Sequence, residues 1–205
     1  MYISNDRSEL ILSLLDNFSH INVITDLGCM DGATLSGISS SLPGNIIYYG
    51  IDYASPEPKI TSDTITFVKC DLNTHLSKID EIIKRTDLIL LLDVLEHLHH
   101  PEVFLKELNE IMKPESQLLI IVPNAASVRK LIAWIKNDFP RNEIGYFDKT
   151  HRSWFTTKSI KCLIPPKLSL DRIGYIYSEK TIFRIFQKLL PSRLTSQFYV
   201  RLSKK

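Results

Sequence analysis

The sequence predicts an α/β fold, in which a doubly wound, mostly parallel sheet of seven strands carries helices on both faces and the last strand is antiparallel. Two observations predict it. Short apolar runs alternate five times with segments of helical spacing, which is the pattern of a parallel sheet with right-handed crossovers. Glycine or polar residues follow these runs, where the carboxyl ends of parallel strands form a ligand crevice. They are Gly28, Asp52, Asp71, Asp93 and Asn124.

Seven segments are predicted as strands because they are short, rich in apolar residues and bounded by turn-forming or charged residues. They are residues 22–27, 46–52, 64–70, 87–93, 117–122, 168–177 and 197–202. The fourth holds five consecutive apolar residues, which is typical of a central strand buried on both faces. The last alternates apolar and polar residues, and we expect it to return antiparallel beside its predecessor.

Helices are predicted where apolar residues recur three and four positions apart. They are residues 9–18, 33–42, 76–83, 101–112, 125–136, a short helix near 160–164, and 181–190. Pro101 suits the first helical position because its φ is fixed, and Pro114 ends the same helix. The fifth helix carries its apolar residues on one face. They are Val128, Leu131, Ile132 and Ile135.

Length and composition predict one domain over residues 1–205, with a core of about residues 20–178. Residues 137–157 are predicted to form a lid or substrate segment, because 137–150 lacks a clear period and is dense in polar and aromatic residues. The net charge of +2 gives no case for a nucleic-acid partner. The three cysteines form no CxxC pair, which argues against a disulfide framework or a zinc site.

Residues 179–205 form a basic amphipathic segment that ends in the last strand. They include seven basic residues and one acidic residue. The amphipathic helix predicted within this segment, over residues 181–190, would usually pack on its own domain. The alternative is peripheral contact of residues 180–193 with an anionic membrane. The chain shows neither a signal-peptide pattern nor an apolar run long enough to span a bilayer, so the cytoplasm is the expected compartment.

The first strand leads through Gly28 and Gly32 into a helix, and backbone N–H groups at such a turn suit a ligand. A dinucleotide site would need glycine in place of Met30, where a pyrophosphate contacts the backbone. S-adenosylmethionine has no pyrophosphate, so its turn can be looser. The position of Asp52 is suitable for an acid that binds the ribose hydroxyls. The position of Asp71 is suitable for accepting a hydrogen bond from the adenine amino group. The alternative for each acid is a helix N-cap or a solvated strand end.

These motifs resemble class I S-adenosylmethionine-dependent methyltransferases of the small-molecule branch, over roughly residues 9–165. Five stretches carry the resemblance. They are residues 26–32, 50–52, 70–72, 93–98 and 119–124. The glycine that is usual in this family is replaced by Met30. The resemblance implies a Rossmann-like fold and S-adenosyl-L-methionine as the cofactor.

The resemblance also implies ten cofactor-binding residues at the strand ends. They are Asp26, Gly28, Cys29, Gly32, Asp52, Tyr53, Asp71, Leu72, Asp93 and Val94. Asp26 would contact the amino group of the cofactor. Asp52 would hold its ribose, and Asp71 would contact the adenine edge. Asp93 and Val94 would face the methionine moiety and the reacting methyl group.

An acceptor hydroxyl needs a base, and histidine is the usual base near neutral pH. His97 follows the fourth strand, and His151 lies in a His-Arg-x-Trp-Phe-Thr segment that resembles a recurrent one in this branch. Both are candidate catalytic residues together with Glu96, although His97 could instead have a packing role. Glu96 and His97 could also ligate a metal, as in some quinone-type relatives, but two adjacent ligands are too few to assign a metal site. His99 and His100 are expected to face solvent.

The sequence therefore predicts an enzyme that moves a methyl group from S-adenosylmethionine to a small-molecule or lipid-linked acceptor of sugar or quinone type, at oxygen. One alternative is a non-catalytic binding or scaffold protein that keeps the same fold. A second is an NAD-dependent oxidoreductase, which Met30 disfavours.

Overall fold

The computed structural model describes residues 4–15, 20–42, 44–53, 65–74, 76–136, 142, 147–177, 184 and 187–205. Its strands are β1 (Val23–Leu27), β2 (Ile47–Asp52), β3 (Ile65–Lys69), β4 (Leu88–Leu92), β5 (Gln117–Pro123), β6 (Leu168–Ile176) and β7 (Gln197–Lys204). All seven form one sheet in the order β3-β2-β1-β4-β5-β7-β6. The pairs among β1 to β5 are parallel, and β7 is antiparallel to both β5 and β6. The predicted fold class, with its antiparallel last strand, is confirmed.

The helices are α1 (Ser4–Ser13), α2 (Ala33–Ser41), α3 (Asp80–Ile83), α4 (Pro101–Ile111), α5 (Val128–Ile135) and α6 (Pro191–Leu194). Single 3-10 turns cover Leu76–Lys78, Leu95–His97 and Ile160–Leu163. The predicted helix over 76–83 is therefore a 3-10 turn followed by α3. The first helix begins at Ser4 rather than residue 9, and residues 16–19 at its predicted end lie outside the described residues.

Both faces of the central strands β4 and β5 are buried, as a doubly wound fold requires. Every residue of β4 is buried, and its side chains alternate between two core clusters. Ile89 and Leu91 belong to the cluster beneath α3 and α4. Leu88 and Leu90 belong to the cluster beneath α1 and α2. The sheet is thus a rigid support for the residues at its strand ends.

The strand order reverses between β1 and β4, which are neighbours in space although β2 and β3 lie between them in sequence. In sheets of this kind, the crevice beyond the carboxyl ends at the reversal point is where ligands bind. Gly28 and Asp93 are the first residues after these two strands. The fold therefore places them at the two sides of one crevice.

The apolar face predicted for the fifth helix is not buried in the structure. Leu131, Ile132 and Ile135 are exposed, whereas α5 buries Lys130 and Ala133. The Lys130 ammonium lies 4.0 Å from the centre of the Trp154 ring and is attracted by the Glu96 carboxylate. The inward face of α5 is thus occupied by Lys130, and its apolar side chains lie on the outward face.

Most of the predicted basic helix 181–190 lies outside the described residues, which include only Arg184 and 187–190 of that range. Residues 137–141 and 143–146 of the predicted lid also lie outside them. None of the helices that are described is long and apolar enough to cross a bilayer.

Candidate active site

The turn after β1 requires glycine at two positions. Gly28 and Gly32 have φ values of 83° and 74°, in the left-handed region that side chains disfavour. A Cβ atom would lie 2.3 Å from Cγ2 of Val94 at Gly28 and 2.5 Å from the Phe67 ring at Gly32. Met30 adopts a positive φ of 50° without being glycine. Space and conformation together explain the glycine pattern of this turn.

Two buried carboxylates lie below the turn. Asp52 ends β2, and its Oδ2 atom accepts a hydrogen bond from the Met30 N–H at 2.9 Å. Asp26 in β1 is buried, and its Oδ1 atom has no hydrogen-bond partner among the described residues. Burial raises the pKa of Asp26 to about 7; the charge of Arg7 opposes the shift and that of Asp52 adds to it. A buried carboxylate oxygen without a donor is suited to a cationic ligand group, such as the ammonium of S-adenosylmethionine.

The other predicted cofactor residues differ in exposure. Cys29 is buried, and burial raises the pKa of its thiol, so it is neutral. Tyr53 follows β2 and is exposed. Leu72 is buried beside the exposed Asp71, whose Oδ1 atom accepts the Asn73 N–H at 2.9 Å. This bond stabilises the turn after β3.

Asp93 joins three separate elements at the end of β4. Its Oδ2 atom accepts a bond from Arg7 of α1 at 2.8 Å, and its Oδ1 atom accepts one from Gln197 of β7 at 2.7 Å. Its φ of 55° is unusual for a residue other than glycine. Such strain is found at functional sites, where the surrounding contacts maintain it. Sequence reasoning missed Arg7, because no local pattern links it to Asp93.

The three predicted catalytic residues lie together and form the Glu96–His97–His151 cluster. Glu96 is 1% exposed, and neither of its carboxylate oxygens has a hydrogen-bond partner among the described residues. Its Oε1 atom lies 3.9 Å from Nε2 of His151, and the rings of His97 and His151 are 4.7 Å apart. The N–H groups of Arg152 and Ser153 donate to the Glu96 carbonyl, which fixes the His151 segment against the end of β4.

Burial controls the charges of this cluster. It raises the pKa of Glu96 well above the usual range, and the nearby Asp93 charge adds to the effect. Burial, followed by the charge of His97, lowers the pKa of His151 to about 4, so its imidazole is neutral near pH 7. Burial also lowers the pKa of Lys130 to about 8, against the attraction of Glu96. The lowered pKa makes His151 a weak proton acceptor, because burial disfavours its imidazolium form.

A hydrogen-bond chain orients His97. The Thr150 hydroxyl lies 2.9 Å from Nδ1 of His97 and donates to Asp148 Oδ1 at 2.6 Å. Because its proton is directed to Asp148, the hydroxyl accepts a bond from Nδ1–H of His97. The free lone pair of His97 is then on Nε2. Sequence reasoning missed Asp148 and Thr150, although an aspartate two residues before threonine is a turn pattern, and Asp148 does accept the Thr150 N–H at 2.8 Å.

The same cluster has the donor atoms of a metal site. One ligand atom from each of its three residues lies within 4.8 Å of the others. Two imidazoles and a carboxylate suit Mn²⁺, Fe²⁺ or Zn²⁺. The cluster is therefore compatible both with proton transfer and with metal binding. His99 and His100 are exposed, as expected.

A groove of about 520 Å³ opens beside the cluster. Its lining residues are Ala125, Ala126, Lys130, Leu131, Trp134, Trp154 and Arg193. The Trp154 ring contacts the His151 ring edge-on, with centroids 5.5 Å apart. The inner end of the groove therefore lies against the catalytic candidates, and its volume is in the range of small-molecule sites.

The chain matches the family model described as a methyltransferase domain over residues 3–164. No curated protein sequence matches it. This match covers most of the chain, so it shows the family.

Several solved structures have the same fold. A SAM-dependent methyltransferase from Archaeoglobus fulgidus is 20% identical with a TM-score of 0.66, and the alignment covers 99% of this chain and 95% of that one. The plantazolicin methyltransferase BamL, solved with a triazolic desmethylPZN analog and SAH, is 17% identical with a TM-score of 0.69, covering 98% and 85%. The mitomycin 7-O-methyltransferase MmcR is 13% identical with a TM-score of 0.67, covering 98% and 54%.

At these identities the likeness to solved structures shows the fold, and the family match adds the activity. The buried acids, the glycine turn and the strand order agree with both. The chain belongs to the methyltransferase domain family and is an S-adenosylmethionine-dependent methyltransferase with the class I fold.

Proposed function

We propose that the enzyme methylates a hydroxyl group of a small-molecule or lipid-linked acceptor, of sugar or quinone type. The observation that carries this proposal is the Glu96–His97–His151 cluster around the buried Glu96, which begins three residues after Asp93 at the end of β4. A carbon acceptor activated in advance would need no such base, whereas a hydroxyl does. The mitomycin 7-O-methyltransferase among the structural neighbours is consistent with transfer to oxygen.

We assign the cofactor to the ten residues predicted from the sequence. Asp26 supports the assignment best, because its Oδ1 atom, which has no hydrogen-bond partner within the described part of the chain, suits the ammonium of S-adenosylmethionine. Asp52 would bind the ribose, with Tyr53 near the adenine. Asp93 and Val94 would face the methyl group, directly before the Glu96–His97–His151 cluster. S-adenosylmethionine supplies an electrophilic methyl group on a sulfonium, and the residues of the chain position the acceptor.

In the proposed mechanism, the strand-end residues would hold S-adenosylmethionine, which would supply the methyl group, and the Glu96–His97–His151 cluster would hold the acceptor hydroxyl next to it. The hydroxyl proton moves to Nε2 of His97, whose Nδ1–H is held by Thr150. Glu96 stabilises the resulting imidazolium, and its own buried charge is in turn favoured by that cation. His151 is neutral near pH 7 and keeps the Glu96 side of the site closed to water.

Two further assignments from the sequence remain proposals. Residues 137–157 would form a lid over the acceptor. Residues 180–193 would contact a membrane surface peripherally when the acceptor is lipid-linked. In the described part of this segment, Lys188, Leu189 and Leu190 are exposed, which supports the second assignment.

Calorimetry tests the cofactor, and transfer of a labelled methyl group tests the reaction. We expect S-adenosylmethionine and S-adenosylhomocysteine to bind and NAD not to bind. Label should pass to hydroxyl acceptors, and Glu96→Gln should slow transfer about 100-fold or more without loss of cofactor binding. Cofactor binding with no transfer to any acceptor would favour the scaffold alternative. Failure of both sulfur ligands to bind would contradict the proposal.

A further inference from the structure

Large apolar side chains are exposed together on α5 and on the residues before α6. Trp134 and Ile135 are each 76% exposed, and Leu189 and Leu190 are 71% and 58% exposed. The helices α5 and α6 are in contact, and Leu189 and Leu190 directly precede α6, so we treat the exposed residues of both elements together and call them the α5 surface. Globular domains rarely leave an apolar patch of this kind in water unless it binds a partner.

The α5 surface is also basic. Residues 128–136 and 187–194 contain no acidic residue. Lys136, Lys188 and Arg193 are exposed there. Charge complementarity therefore favours an anionic partner over a neutral or cationic one.

The groove beside the cluster connects the α5 surface to the site of methyl transfer. Leu131, Trp134 and Arg193 line its outer part and also belong to the α5 surface. Lys130 and Trp154 line the inner part, where Trp154 contacts His151. A molecule in this groove would have one end at the cluster and the other on exposed apolar side chains.

We propose that the groove binds the methyl acceptor, and that this acceptor is an anionic amphiphile. Its hydroxyl-bearing head lies at the Glu96–His97–His151 cluster, its anionic group lies near Lys130 and Arg193, and its apolar chain lies along α5. This inference rests on the proposed function and names the substrate class of the same site. It makes α5 the main contact for the apolar chain, rather than residues 180–193 alone.

The two tryptophans of the chain both line the groove, so intrinsic fluorescence reports on its occupancy. The probe is dodecyl phosphate below its critical micelle concentration, added in the presence of S-adenosylhomocysteine. We expect a saturable blue shift, which persists when either Trp134→Phe or Trp154→Phe leaves one reporter. Dodecyl maltoside should bind at least about tenfold more weakly, and inorganic phosphate should give no shift, because the site needs both the charge and the chain.

The variant Arg193→Gln should weaken dodecyl phosphate binding about tenfold, which is the change expected from one lost charge-assisted contact. Lys106→Gln is the matched control, because Lys106 is an exposed cation on α4, outside the groove. It should leave the affinity unchanged. Equal losses in both variants would reflect total charge and would overturn the proposal.

Three other results would overturn it as well. Equal affinity for dodecyl maltoside would remove the anionic requirement. A shift with anionic phospholipid vesicles but not with monomeric dodecyl phosphate would show adsorption to a membrane and no acceptor groove. A blue shift that depends on protein concentration without ligand would show that copies of the chain cover the α5 surface. S-adenosylhomocysteine binding, measured on the same samples, tests the proposed function separately.

Discussion

Cofactor binding should release a proton from Asp26 near neutral pH. Burial raises the pKa of Asp26 from 3.8 to about 7, so about half of the unliganded molecules carry a neutral Asp26 at pH 7. The shift corresponds to roughly 4 kcal/mol in favour of the neutral form, at about 1.4 kcal/mol per pKa unit. An ammonium group placed at Oδ1 favours the carboxylate and lowers this pKa. Binding should then release about 0.5 proton at pH 7 and about 0.1 at pH 8.

Calorimetric titration with S-adenosylhomocysteine, in buffers of different ionisation enthalpy, measures this release directly. Asp26→Asn should remove the proton release and weaken binding. Asp31→Asn is the matched control, since Asp31 is an exposed acid in the same turn. This variant should keep both the proton release and the affinity for S-adenosylhomocysteine. Binding enthalpies that do not depend on the buffer at pH 7 would refute the reasoning, because Asp26 would then keep one protonation state.

The same shift has a consequence for the unliganded protein. The pKa of Asp26 is raised in the folded state, so folding favours its neutral form. Asp26 therefore lowers the free energy of unfolding by an amount that grows as pH rises from about 4 to about 7 and is constant above that range. Asp26→Asn removes the cost, so its free energy of unfolding should exceed that of the wild type at pH 8. Chemical denaturation at pH 8 measures the difference, and a less stable variant would contradict the sign.

Further predictions concern the turn and the cluster. Gly28→Ala should lower the free energy of unfolding by at least about 1 kcal/mol and weaken cofactor binding, because the added Cβ has no space and the backbone φ at this position disfavours a side chain. Gly44→Ala is the control: a Cβ added there would have no neighbour within 4 Å, so neither stability nor binding should change. Glu96→Gln should reduce kcat about 100-fold or more with unchanged cofactor Kd. Glu102 is an exposed acid, and Glu102→Gln should leave kcat unchanged. Thr150→Val should lower kcat about tenfold, since the Nδ1–H of His97 loses its acceptor; an unchanged rate would show that the chain to His97 is not used. Prolonged dialysis against EDTA should leave the rate unchanged if the cluster acts as a base, and activity that is lost and then restored by Mn²⁺ or Zn²⁺ would assign it to a metal instead.

The strand positions and the glycine turn follow from the sequence. The strands are short apolar runs, and their ends lie within two residues of the predicted ones because burial on both faces selects such runs. Gly28 and Gly32 were predictable because φ and the space around a Cβ are local constraints. The carboxyl-end acids followed from the rule that parallel strands end on one edge.

The tertiary structure alone decided which distant residues complete the site. Arg7 and Gln197 bind Asp93 from opposite ends of the chain, and no spacing in the sequence relates them. The outward orientation of the apolar residues of α5 was also not predictable, because periodicity reveals a face but not what covers it. In the structure Lys130, over Trp154 and near Glu96, occupies the inward face instead. Local patterns specify elements, whereas long-range charge and packing contacts specify how those elements form a site.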